Sequence, residues 1–117
     1  MDDHAHSALN DPCYLLGLVA GELDSRGMSA RDLVAITFTG ERNQIEVSTR
    51  LHPLPQRYPE LSEILDDVGR TCRDEGISVE QLQRITFFED EVNLETDDKR
   101  GGTDIFTWPI LPGSLHS

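Results

Sequence analysis

"ISVEQLQRITFFEDE", residues 77–91, restates "MSARDLVAITFTGER", residues 28–42, at an offset of 49 positions. From Gly27 to Phe38 against Gly76 to Phe87, six of twelve residues are identical: Gly, Ser, Leu, Ile, Thr and Phe. Each copy carries the same signals in the same order. A glycine comes first, able to end a helix in the left-handed conformation without a Cβ clash. A serine then opens a capping-box pattern, "SVEQ" (Ser78 to Gln81) and the weaker "SARD" (Ser29 to Asp32), which predicts one or two helical turns with Leu82 and Leu33 directed inward. "RITFF" and "AITFT" follow, rich in β-branched and aromatic residues, and read as strands. "FEDEV" and "TGERN" read as turns, and "VNLET" and "QIEVST" alternate apolar with polar, as returning strands half exposed to water do.

Outward from this block the match continues by type. Upstream of Gly27, Leu15, Leu18, Val19 and Leu23 recur at helical spacing, and upstream of Gly76 so do Leu61, Ile64, Leu65, Val68 and Cys72. Each set predicts an amphipathic helix. Asp11 followed by Pro12 marks the first start, and Pro59 with Glu60 and Glu63 the second.

Each half is thus helix, short helical turn, strand, turn, strand. One helix and one hairpin bury too little apolar surface to stand alone, so the duplication has a structural reason. The expected fold is α+β, an internally duplicated α-β-β unit giving a four-stranded antiparallel sheet with two long helices on one face. The expected organisation is a single domain over 1–117, with pseudo-repeats at 11–49 and 59–98 and a proline-rich linker at 50–58. An apolar C-terminal tail, 103–117, follows Gly101 and Gly102. It holds Ile105, Phe106, Trp108, Ile110 and Leu111, and its prolines forbid a regular helix. Either it folds back over the open face or edge of the sheet, or it docks elsewhere.

The net charge of −12, from 22 acidic and 10 basic residues, argues against a general binder of nucleic-acid phosphates. The acids are unevenly placed. Residues 15–49 carry five acids against three arginines, and residues 64–98 carry eleven against three. No apolar run is long enough to span a membrane. The acidic N-terminus does not resemble a secretion signal. Cys13 and Cys72 lie in no metal or redox spacing and read as reduced thiols of a cytoplasmic protein.

Motifs for catalysis are missing: no GxSxG, no glycine-rich phosphate loop, no HExxH. His4 and His6 beside Asp2 and Asp3, His52 in the linker and His116 form no evident site. A divalent-metal nuclease site could be drawn from the acids of residues 89–98 with Lys99, but the same pattern reads more simply as a solvated acidic hairpin. The expectation is no enzyme, no metal and no cofactor. It is a small acidic binding protein that neutralises a basic, nucleic-acid-handling partner, in the manner of an immunity protein or phage inhibitor. The partner-binding residues expected are Glu89, Asp90, Glu91, Glu95, Asp97, Asp98, Phe106 and Trp108. The alternative is an assembly adaptor or chaperone acting through the apolar tail and sheet edge, with a homodimer formed by edge pairing.

Overall fold

The computed structural model describes residues 11–39 and 45–110. His4, His6, His116, Leu111 and most of the "TGERN" turn lie outside the described residues. Helix α1 (Pro12–Ser25) starts where the sequence punctuates it, with the Asp11 carboxylate accepting from the Cys13 N–H at 3.0 Å and Pro12 in the first turn. Helix α2 (Leu61–Glu75) starts after Glu60. Gly27 and Gly76 follow with φ of 77° and 72°. At these glycines the two halves turn alike, the Met28 N–H reaching the Leu23 carbonyl at 3.0 Å and the Ile77 N–H the Cys72 carbonyl at 2.8 Å. A left-handed residue that returns an N–H to the last helical turn satisfies carbonyls the helix leaves open.

Short 3₁₀ turns, Ala30–Asp32 and Val79–Gln81, come next. In each, the third side chain accepts from the serine that opens it, Asp32 from the Ser29 N–H at 3.1 Å and Gln81 from the Ser78 N–H at 3.0 Å. The Ser29 N–H, then the Ser29 hydroxyl, hold the Asp32 carboxyl below the ordinary carboxylate range, and the charge of Arg31 adds to this. The turns lead into β1 (Leu33–Phe38) and β3 (Leu82–Phe87), which return as β2 (Ile45–Thr49) and β4 (Glu91–Asp97).

The expected sheet of four strands is corrected to five. Residues Thr103–Pro109 form β5, antiparallel to β4, and the order across the sheet is β2-β1-β3-β4-β5. The α+β class holds. The free edge of β4 supplies what local sequence did not signal, a row of unpaired backbone groups that an extended, proline-bounded segment can satisfy.

The duplication runs deeper than the identities. The buried residues of α1 are Pro12, Leu15, Leu16, Val19, Ala20 and Leu23, and those of α2 are Leu61, Ile64, Leu65, Val68, Gly69 and Cys72. Every pair stands 49 positions apart. Leu18, expected in the core, is exposed, and Leu16 takes the inward place. α1 is apolar on nearly every side, so spacing alone does not choose its face.

The strands repeat the correspondence in detail. A bulge between Leu33 and Ala35 recurs between Leu82 and Arg84, 49 positions on. Each bulge inserts one residue, and this lets Leu33 and Ile36, or Leu82 and Ile85, point the same way although three positions apart. β1 and β3 pair with Ile36 opposite Ile85, Ala35 opposite Thr86 and Thr37 opposite Arg84. Equivalent isoleucines face each other, and an approximate two-fold axis passes between them.

One apolar core joins both helices to Leu33, Ile36, Leu82, Ile85, Phe87, Val92 and Leu94. The linker belongs to it too. Leu54 and Tyr58 are buried, Arg31 Nε donates to the Leu54 carbonyl at 2.7 Å, and the Tyr58 hydroxyl donates to the Phe88 carbonyl at 2.8 Å. Arg50 reaches across to donate to the carbonyls of Leu33, at 3.0 Å, and of Phe87.

Candidate binding face

Strand β4 alternates strictly. Val92, Leu94 and Thr96 are buried, while Glu91, Asn93, Glu95 and Asp97 between them are half-buried. Successive side chains on a strand point to opposite faces, so the acids stand on the face away from the helices. The register places Ser48, Ala35, Thr86, Asn93 and Thr107 in one row across that face, and Glu46, Thr37, Arg84, Glu95 and Ile105 in the next. Thr107 and Asn93 are joined side chain to side chain at 3.0 Å. Arg84 is the single cation in the second row, beside Glu95.

The tip of the β3–β4 hairpin carries Glu89 and Asp90, both exposed. Its backbone is fastened from three sides. The Phe88 N–H bonds the Glu91 carbonyl at 2.8 Å, the Ile110 N–H bonds the Asp90 carbonyl at 2.8 Å, and Tyr58 and Arg50 hold the Phe88 and Phe87 carbonyls. Burial pushes the Tyr58 phenol up to about 12; the nearby charge of Arg50 works against the shift and that of Asp90 adds to it. At physiological pH Tyr58 is therefore a neutral hydroxyl committed to the hairpin backbone. Glu89 and Asp90 are presented on a backbone already in place, which lowers the ordering cost of binding.

Among the described residues the ion pairs are Arg26–Glu22, Arg70 with Asp66 and Asp67, and Arg73–Asp11. All involve the helices or their caps, and none neutralises Glu89, Asp90, Glu91, Glu95 or Asp97. The equivalent positions of the first half are different in kind. Counted from the paired strand ends, Ser48 corresponds to Glu95 and Arg50 to Asp97.

The eight expected partner-binding residues are divided by the fold. Glu91, Glu95 and Asp97 share the open face, with Glu89 and Asp90 at its rim. Asp98 belongs to the β4–β5 loop, where it accepts from the N–H groups of Arg100 at 2.8 Å and Gly102 at 2.9 Å, and these bonds hold its carboxyl below the ordinary range. Phe106 and Trp108 lie opposite Leu94 and Val92 and pack against the core from the helix side. They are on the other face of the sheet from the acids. Arg50 and Tyr58, which brace the hairpin, were not singled out from sequence; they sit in a linker with no periodic signal. His52 is exposed, and among the described residues no three His, Cys, Asp or Glu side chains converge as metal ligands.

What the fold defines is a class: a duplicated α+β scaffold whose second hairpin is acidic. No family model, curated protein or solved structure matches the chain.

Proposed function

We propose that this is a small acidic binding protein that covers a basic surface on a nucleic-acid-handling partner, and so inhibits or neutralises it. The observation that carries the reading is the cluster Glu89, Asp90, Glu91, Glu95 and Asp97, displayed on a braced hairpin with no ion pair among the described residues. Carboxylates held in this way complement the lysines and arginines with which a nuclease or other nucleic-acid protein holds phosphates. Both cysteines are free thiols, which suits action in a reducing cytoplasm. No helix among the described residues is long and apolar enough to cross a membrane. An adaptor working through a loose apolar tail has less support, because Thr103–Pro109 is already a strand of the sheet.

The test is affinity capture from nuclease-treated lysate of the native host, with the wild-type chain and with the Glu89→Lys/Glu91→Lys/Glu95→Lys variant. A basic nucleic-acid-binding protein should be retained at low salt, released at high salt and lost with the variant, whose fold is checked by circular dichroism. Retention of every partner by the folded variant overturns the reading.

A further inference from the structure

The outward faces of the two helices hold equivalent places in the duplicated unit and carry opposite chemistry. On α2 they present Glu63, Asp66, Asp67 and Arg70, all exposed. At the same offset of 49, α1 presents Tyr14, Gly17, Leu18 and Gly21, also exposed. From Pro12 to Gly21 the helix has no charged residue. Tyr14 and Leu18 remain 47% and 48% exposed. An apolar helix face is ordinarily a covered one, yet nothing described in this chain covers this face.

The glycines point the same way. A Cβ at Gly17 or Gly21 would meet no atom within 4 Å, so packing among the described residues requires glycine at neither. Glycine is also the poorest ordinary helix former. Two of them one turn apart allow another backbone to lie close. Beside them runs a solvent-open groove of about 900 Å³ between α1 and the start of α2, with carboxylates Asp24, Glu60, Glu63 and Asp66 along it. Of these, only Asp66 has an ion-pair partner among the described residues, Arg70 at 3.2 Å.

We infer that this groove is a docking site for a helix of a partner protein, one with a stripe of small or apolar residues flanked by lysine or arginine. Ala20, Met28 and Leu61 on the groove wall, with the two glycines, take the stripe, and the four carboxylates take the flanking cations. A second copy of this chain is a poorer occupant, because it would set the same carboxylates against each other at a net charge of −12 per chain. The inference does not rest on the hairpin reading, since the groove lies in the helix layer and the hairpin acids face away from it.

The chain is titrated calorimetrically with a synthetic amphipathic helical peptide bearing an Ala/Leu stripe flanked by Lys, and with a scrambled peptide of the same composition. Sedimentation velocity reports the state of the free protein. The patterned peptide should bind a monomer, with the scrambled one weaker by roughly tenfold or more. Gly17→Leu/Gly21→Leu, which fills the groove, and Glu63→Lys/Asp66→Lys should each weaken binding by a similar factor, and Glu89→Lys/Glu91→Lys should leave it unchanged. Melting temperatures of the groove variants at or above wild type separate loss of the surface from loss of the fold. Should the leucine variant fail to fold, Gly17→Lys/Gly21→Lys, on the groove wall, takes its place. No binding, equal binding of the two peptides or indifference to both groove variants overturns the inference. So does a dimer that the leucine or lysine variant splits, which assigns the face to a second copy.

Discussion

Gly69 sits against α1 so closely that a Cβ there would lie 2.8 Å from Cys13 Cα and 3.1 Å from its Sγ. The neighbour is backbone, which cannot swing aside. Gly69→Ala gains helix propensity but forces the helices apart, and overpacking of this kind costs about 1–3 kcal/mol. Urea unfolding should show a lower midpoint with an unchanged slope. One turn along, burial and then the neighbouring Cys13 push the Cys72 thiol up to about 11. A thiol reagent at neutral pH should therefore modify Cys13 and leave Cys72 untouched until the protein unfolds. Tyr58 contributes to the loss of stability at alkaline pH, as does the raised thiol of Cys72. The Tyr58 phenol ionises at its ordinary 10 in the unfolded chain and at about 12 in the folded one. The folded state then holds the extra proton, so stability present below pH 10 should fall as pH rises toward 12. In Tyr58→Phe that decline should be smaller, and at neutral pH the variant should be less stable by about 1 kcal/mol for the lost bond to Phe88.

Elements differ in how far local sequence announces them. α2, both 3₁₀ turns, β1 and β3 are announced by helical spacing, capping patterns and β-branched runs that agree with one another, although both strands begin two residues before the runs read as strands, at Leu33 and Leu82. β5 has no such agreement. Phe106, Trp108 and Ile110 alternate inward, but Ile105 interrupts the pattern and is left 62% exposed, Pro109 interrupts the run of backbone donors, and the open edge of β4 makes the segment a strand. The inward face of α1 was legible only by comparison with its repeat, where Leu65 answers Leu16 and Asp67 answers Leu18. The acids of the hairpin could be read from sequence. Their separation from Phe106 and Trp108 could not, because it depends on the β4–β5 register. On α1 itself, Gly21→Ala should raise stability by up to about 1 kcal/mol, since the added methyl meets nothing and glycine is the weaker helix former. Thermal unfolding of this variant measures the cost of an exposed glycine that packing among the described residues does not use.

Across the whole molecule, the axis between Ile36 and Ile85 makes β2 and β4 equivalent, and β5 breaks that equivalence. β2 pairs only with β1 among the described residues, while β4 lies between β3 and β5. The extra strand thus buries the edge of the half that carries the acids. Removing residues 103–117 should show what this is worth. It takes away Phe106 and Trp108, half-buried against the core, and Ile110, buried beside them. At about 1.5–3 kcal/mol for each fully buried apolar side chain, less for the half-buried pair, the loss is roughly 3–6 kcal/mol. Proteins of this size have about 5–15 kcal/mol in all, so the truncated chain should unfold at much lower urea. It should also expose the backbone of β4, and any folded fraction should associate through that edge as concentration rises. A truncated chain that is both monomeric and as stable as the parent would show instead that the duplicated core suffices without β5.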